Sequence, residues 1–271
     1  MVDLTRTVRF FLSLEDHDPP PRHNGFSAWP PPRGLDRFLQ LHLCCSGTID
    51  GTTGYSADIK QLDRAVADHA VSYLRRTIRD GDGGAATGAL MRGLFETLAR
   101  TIDESLRQLR MDLSPFLSLT IKSHDMSHVF IAQQFEFAAA HRLHVPDLSD
   151  DENHKVFGKC SNPSGHGHNY RLEVTVRAPI RDDGCTIGIE VIDETVDRHV
   201  IEHFDHKHLN LDLPEFADLN PSVENIARVI FDRLEPHIEA LDVELDQVSV
   251  WETAKTMCTY RRAQETAAAG A

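Results

Sequence analysis

No apolar run in this chain approaches the roughly 18 residues needed to cross a bilayer, so a membrane span is not expected. Basic residues are also short: 28 Lys and Arg stand against 42 Asp and Glu, for a formal net charge of −14. Nonspecific nucleic-acid binding needs a basic face, and this balance argues against one. An anionic substrate therefore needs a local basic pocket, because global steering is absent. The N-terminal stretch MVDLTRTVRFFLSLEDHD carries a few apolar residues but no small-residue cleavage site, so it does not read as a signal peptide. Cysteine is sparse too. The five, Cys44, Cys45, Cys160, Cys185 and Cys258, are odd in number and irregular in spacing, which excludes a disulfide framework and points to reduced thiols in the cytoplasm.

What the chain does have is 271 residues, 41 % of them apolar and 26 % charged, the balance of a globular protein with one large domain or two ordinary ones. Its halves resemble each other. Residues 34–41, GLDRFLQL, and residues 167–174, GHNYRLEV, share a start and a strand alternation, and each run leads into a Gly-bearing turn and a helix. The first helix carries Ile59, Leu62, Val66, Ala70 and Leu74; its counterpart carries Ile192, Val196, His199, Val200 and His203. A second helix follows in each half, through Leu90, Leu94, Leu98 and Ile102, and through Ile226, Ile230, Leu234 and Ile238, with Ser222 as N-cap and Pro236 as a kink or stop. Strands at 116–121 and 248–252 close the halves. The boundary is expected within KSHDMSHVFIA, residues 122–132. Pro19–Pro32 is expected to be a loop and Ala263–Ala271 a frayed tail.

The chemistry concentrates between Phe135 and Tyr170. His166 and His168 are two apart, which on a strand puts both imidazoles on one face, and His141 at the end of an earlier strand can add a third nitrogen. Three protein ligands with an open fourth position describe a catalytic zinc, which can polarise a hydroxyl or carbonyl. Cys160 lies on an Asn/Pro/Ser/Gly loop near Lys155 and Lys159, and cationic neighbours and a metal lower a thiol pKa. A fourth-ligand role for Cys160, in a structural site, is the main rival. Asp205 next to His206 can orient an imidazole for proton transfer, although adjacent residues at a helix end are more often only solvated. Glu252, at the end of the closing strand, can accept paired hydrogen bonds from a heterocycle, or can be an exposed carboxylate.

These segments, FEFAAAHRL, FGKCSNPSGHGHNY, FDHKHLN, NPSVENIA and VSVWET, occur in that order over residues 134–260. Together they resemble the 6-pyruvoyl-tetrahydropterin synthase and 6-carboxytetrahydropterin synthase family. The resemblance implies an α+β tunnelling fold: two helices on one face of a four-stranded antiparallel sheet. It implies zinc on His141, His166 and His168, proton transfer by Cys160, Asp205 and His206, and a pterin anchored by Glu252 with Ser222 nearby. The implied substrate is 7,8-dihydroneopterin triphosphate, with Arg142, Lys155, Lys159 and Lys207 as candidates for the basic pocket. The chain departs from the family at Val223, where Thr is common, and at Gly188, where Asp is common; the first half does have such an Asp, Asp58.

The expected arrangement is a degenerate tunnelling-fold domain over 1–125, lacking the zinc site, fused to a catalytic domain over 126–271. Leu35 or Asp36 stands where His168 would be, and Ile121 where Glu252 would be. Three such chains supply six units, so a homotrimer imitating a hexamer is expected. The spacing Cys160-x5-His166 favours the pyruvoyl product, with the carboxy product as the close alternative. A zinc-stabilised pterin-binding or structural protein without turnover is the reading from another class.

Overall fold

The computed structural model describes residues 1–14, 24–32, 34–81, 86–102 and 106–261. The expected loop Pro19–Pro32 lies partly, and the tail Ala263–Ala271 wholly, outside the described residues. The chain divides into two compact units: Met1–Ile131 with Ala178–Thr186, and Ala132–Arg177 with Ile187–Ala271. The class is α+β.

In the first unit the strands β1 (Val2–Leu12), β2 (Arg37–Gly47), β3 (Leu106–Ser114) and β4 (Leu117–Lys122) pair antiparallel in that order. Strand β1 is built on the N-terminal apolar stretch, which the sequence pattern had not marked as a strand. Along β2 the side chains of Leu39, Leu41, Leu43 and Cys45 are buried and alternate with half-buried Gln40, His42 and Cys44. Between β2 and β3 lie α1 (Ile59–Ala65), a π-helical turn (Val66–Ala70), α2 (Val71–Asp80) and α3 (Thr87–Ile102). Asp58 caps α1, its carboxylate accepting from Lys60 N at 2.9 Å.

The second unit repeats this order. Strand β5 (Asp125–His141) leads through α4 (Asp150–Phe157) and a 3₁₀ turn (Gly158–Ser161) to β6 (His166–Pro179). Then come α5 (Ile189–Val196), a π-helical turn (Asp197–Ile201), α6 (Glu202–Phe204), β7 (Lys207–His208), α7 (Leu209–Asp212) and α8 (Val223–Glu239), before β8 (Glu244–Thr253) and β9 (Thr256–Arg261). The order across the sheet is β5-β6-β8-β9, with β7 pairing parallel to the end of β5 through Ala139↔Lys207 and Ala140↔His208. Helix α8 packs on β8 and β9 and buries Ile226, Ile230, Leu234 and Ile238. Pro236, expected to kink or end this helix, lies inside it. It sits in the last turn, and α8 runs on to Glu239.

The π-helical turns have a common cause. In each unit the first helical run buries every fourth residue: Leu62, Val66, Ala70 and Leu74 in one, Ile192, Val196, Val200 and Phe204 in the other. A regular helix advances about 100° per residue, so a spacing of four drifts about 40° per step and would carry the stripe off the core within three steps. One wider turn takes up that drift and returns all four side chains to the same face.

Strand registers align the halves residue by residue. Gln40 faces Asp112 as Arg171 faces Trp251, and the ladder slips after Cys44 as it does after Thr175. The following hairpins slip between Asp112 and Ser114 and between Trp251 and Thr253. These registers correct the sequence alignment. The counterpart of His168 is Arg37 and that of His166 is Leu35; the counterpart of Glu252 is Leu113, not Ile121. The alignment slid because β7, α7 and a 3₁₀ turn (Pro214–Phe216) lengthen only the second half ahead of its long helix. The expected boundary region, 122–132, is occupied by the end of β4, a turn and the start of β5.

Candidate active site

His141 is the last residue of β5 and its side chain is fully buried. Its Nδ1 lies 2.7 Å from the carbonyl oxygen of Pro221. A carbonyl only accepts, so Nδ1 carries the proton and donates, which leaves the Nε2 lone pair free. His166 and His168 open β6, and their alternation brings both rings to the same face. The three ring centroids are 4.6, 5.2 and 4.8 Å apart. One nitrogen from each ring falls within 4.8 Å of the others, and this trio could hold a metal ion.

Three further observations fit a cation. The Nε2 atoms of His141 and His166 face each other at 3.2 Å. His168 Nε2 is buried without a hydrogen-bond partner, an uncompensated acceptor that a metal would satisfy. Burial, then the neighbouring imidazoles of His166, His168 and His208, pull His141 down to about 4, and burial also lowers His166. Both are neutral at pH 7, the form that ligates. Glu252 is only 18 % exposed, and its Oε1 lies 3.4 Å from His141 Nε2 and 3.8 Å from His168 Nε2. It is therefore turned into the cluster and is not a solvated strand-end carboxylate.

Cys160 sits in the 3₁₀ turn and is outside the metal-binding trio. Its carbonyl accepts from Leu143 N at 2.9 Å, which ties the turn to the chain leaving β5. Burial, then the Glu252 carboxylate, push the Cys160 thiol up. Asp205 and His206 form a dyad: His206 Nδ1 is 2.7 Å from Asp205 Oδ2, and Asp205 Oδ1 accepts from Ala138 N at 2.8 Å. These bonds, from Ala138 first and His206 second, hold the Asp205 carboxyl below its usual range. His206 takes a left-handed backbone, φ 57°, its own N–H donates to Ala138 O, and its ring is 83 % exposed. Cys160 makes no hydrogen bond to either member of the dyad.

Ser222 is engaged as the N-cap of α8, where its hydroxyl accepts from Asn225 N at 3.4 Å. Of the basic candidates, Arg142 and Lys159 line an open groove of about 570 Å³ with His154 and Asn162, although Asp150 and Asp151 line it too. Arg142 is held there by donating from Nε to Ser161 O. Lys155 and Lys207 are exposed and do not line it. Two contributors had no functional signal in the sequence. Pro221 acts through its carbonyl, and His208 reaches the site because the parallel β7 pairing lays it beside β5.

Residues 130–263 match the family described as 6-pyruvoyl tetrahydropterin synthase. A 6-pyruvoyl tetrahydrobiopterin synthase of Drosophila melanogaster is 41 % identical over 133 residues, which are 49 % of this chain and 79 % of that protein. The Homo sapiens protein of the same name is 38 % identical over 133 residues, covering 48 % of this chain and 90 % of its own. The solved structure of Caenorhabditis elegans 6-pyruvoyl tetrahydropterin synthase aligns with 33 % identity and a TM-score of 0.47, over 50 % of this chain and 96 % of its own. With the family's segments carried on β5, β6, α8 and β8, and with close relatives covered over most of their length, this chain belongs to the 6-pyruvoyl tetrahydropterin synthase family.

Proposed function

We propose that the second unit is a zinc-dependent lyase that converts 7,8-dihydroneopterin triphosphate to 6-pyruvoyl-tetrahydropterin with loss of triphosphate. The observation that carries this reading is the convergence of His141, His166 and His168 with Cys160 outside the ligand set, which is the pattern of an open rather than a closed zinc site. Zinc bound there would act as a Lewis acid on the substrate's side-chain oxygens and acidify the adjacent C–H bonds. Cys160 takes a proton from the side chain, and Glu252, half-buried beside the histidines, accepts hydrogen bonds from the pterin ring. His206, fixed by Asp205 and Ala138, exchanges a proton at the surface. The groove beneath Arg142 and Lys159 receives the triphosphate.

The first unit is proposed to be a catalytically silent copy that serves assembly, because Leu35, Arg37 and Leu113 stand at the registers of His166, His168 and Glu252. A homotrimer then presents six units. No disulfide joins the five cysteines, which suits the reducing cytoplasm expected from composition, and no helix among the described residues is long and apolar enough to cross a membrane.

Incubating the full chain with zinc and dihydroneopterin triphosphate, and identifying products by mass spectrometry, tests the reading. Release of triphosphate with a pyruvoyl pterin is expected, and it should stop in Cys160→Ala. A carboxy pterin would redirect the assignment within the family, and bound but unchanged substrate would end the case for a lyase.

A further inference from the structure

His166 is reached through a turn built on Asn162. The N–H of Gly165 donates to Asn162 O at 2.8 Å, that of Ser164 donates to Asn162 Oδ1 at 3.1 Å, and β6 begins at His166. Gly165 takes a left-handed backbone, φ 68°, which a residue with a Cβ adopts only at a cost. Space is short there as well. A Cβ at this position would stand 2.7 Å from His208 Nε2 and 2.9 Å from the carbonyl oxygen of His141, both inside van der Waals contact. The two walls differ. The His208 imidazole is the end of a side chain and can swing away. The His141 carbonyl belongs to the last residue of β5, whose ring is held by Pro221, so it cannot yield without moving one of the three histidines.

Two nearby glycines supply the contrast. Gly167 lies on the other side of His166, and a Cβ there would meet Ala139 O at 3.6 Å, an ordinary contact. Gly158 shares the positive φ, 57°, but a Cβ on it would enter open space among the described residues. Gly165 combines the left-handed backbone with a backbone wall. We propose that Gly165 is a positioning residue of the three-histidine centre. Its missing side chain lets the turn seat against the His141 carbonyl, and that seat brings His166 Nε2 to 3.2 Å from His141 Nε2. A side chain at position 165 wedges the end of β5 from the start of β6 and spreads the two rings. The inference rests on the reading of these histidines as a zinc centre.

The test is zinc affinity, measured on the metal-stripped full chain by competition with a chromophoric chelator. The visible spectrum of the cobalt(II)-loaded chain is the second readout, because it reports ligand geometry and not stability. Wild type is compared with Gly165→Ala, Gly158→Ala and Gly167→Ala. Gly165→Ala should bind zinc on the order of 10- to 100-fold more weakly, the range seen when groups that orient ligands are lost. Its cobalt bands should shift or lose intensity. Gly158→Ala, a left-handed alanine in open space, and Gly167→Ala, an added methyl without the wall, should keep wild-type affinity and spectrum. Wild-type affinity in Gly165→Ala overturns the proposal. An equal loss in Gly158→Ala or Gly167→Ala also overturns it, because strain or bulk anywhere near His166 would then suffice. So does a Gly165→Ala chain that fails to fold, since the glycine would then serve the fold and not the centre. A wild type that takes up neither metal ends the zinc reading and this inference with it, an outcome distinct from tight binding that Gly165→Ala leaves unchanged.

Discussion

The imidazole of His141 is anchored to the carbonyl of Pro221 across 2.7 Å, and Pro221 immediately precedes the N-cap of α8. One side chain thus ties the end of a strand to the start of a helix and sets which of its nitrogens faces the cluster. Metal-ligating histidines commonly need such an outer hydrogen bond to fix tautomer and ring orientation.

His168→Ala should lose both metal and turnover, with zinc affinity down by roughly 100-fold or more, since even outer-sphere losses reach that range. Cys160→Ala should keep the metal and lose turnover. Zinc content by elemental analysis, beside product assays, checks both. Loss of zinc from the Cys160 variant would mean that the sulfur closes the coordination sphere.

Glu252→Gln removes a carboxylate that raises the Cys160 thiol. Alkylation of Cys160 at neutral pH should therefore quicken by a few-fold, while product formation falls because the heterocycle loses its acceptor. An enzyme that becomes both more alkylable and more active would contradict the role given to Glu252.

Ser222→Ala should lower stability by about 1 kcal/mol through loss of the α8 cap, whereas Ser222→Gly should cost only a few tenths. If the hydroxyl serves only as a cap, KM should be unchanged in Ser222→Gly. A large rise in KM in the glycine variant would assign the hydroxyl to substrate as well.

Asp112, in the first unit, is predicted to make folding acid-sensitive. Burial alone would raise its carboxyl, but hydrogen bonds from His42, Arg110 and Gln40 outweigh it and bring the group down to about 2. A folded-state value below the unfolded 3.8 stabilises the protein above about pH 4, and that contribution is lost as pH falls toward 2. The effect is worth about 2 kcal/mol. Urea midpoints measured between pH 2 and 5 should fall less steeply in Asp112→Asn than in wild type.

Much of the site was legible because its chemistry is local. The HxH pair on a strand needs no tertiary information to put two rings on one face, and Asp205 with His206 are joined across 2.7 Å as neighbours in the chain. The apolar stripes of α3 and α8 were readable for the same reason. The N-terminal strand β1 was not, because its paired neighbours, not its own composition, select the extended form. Pro236 marked the end of α8 to within one turn, because only three residues of the helix follow it. The counterparts of Glu252 and His168 were misplaced because insertions between elements are invisible to an ungapped comparison, while ladder registers report them directly.

Residue order alone determined which side chains could ligate, which strand face carried them, and that the two halves share a plan, because these follow from backbone periodicity. Only the folded chain decided that His141 meets His166 and His168, that Glu252 turns inward, and that the Cys160 thiol is pushed up. Each of those depends on which distant groups exclude water from the same few ångströms, and the strength of a charge or an unpaired nitrogen there is set by its neighbours and not by its own type.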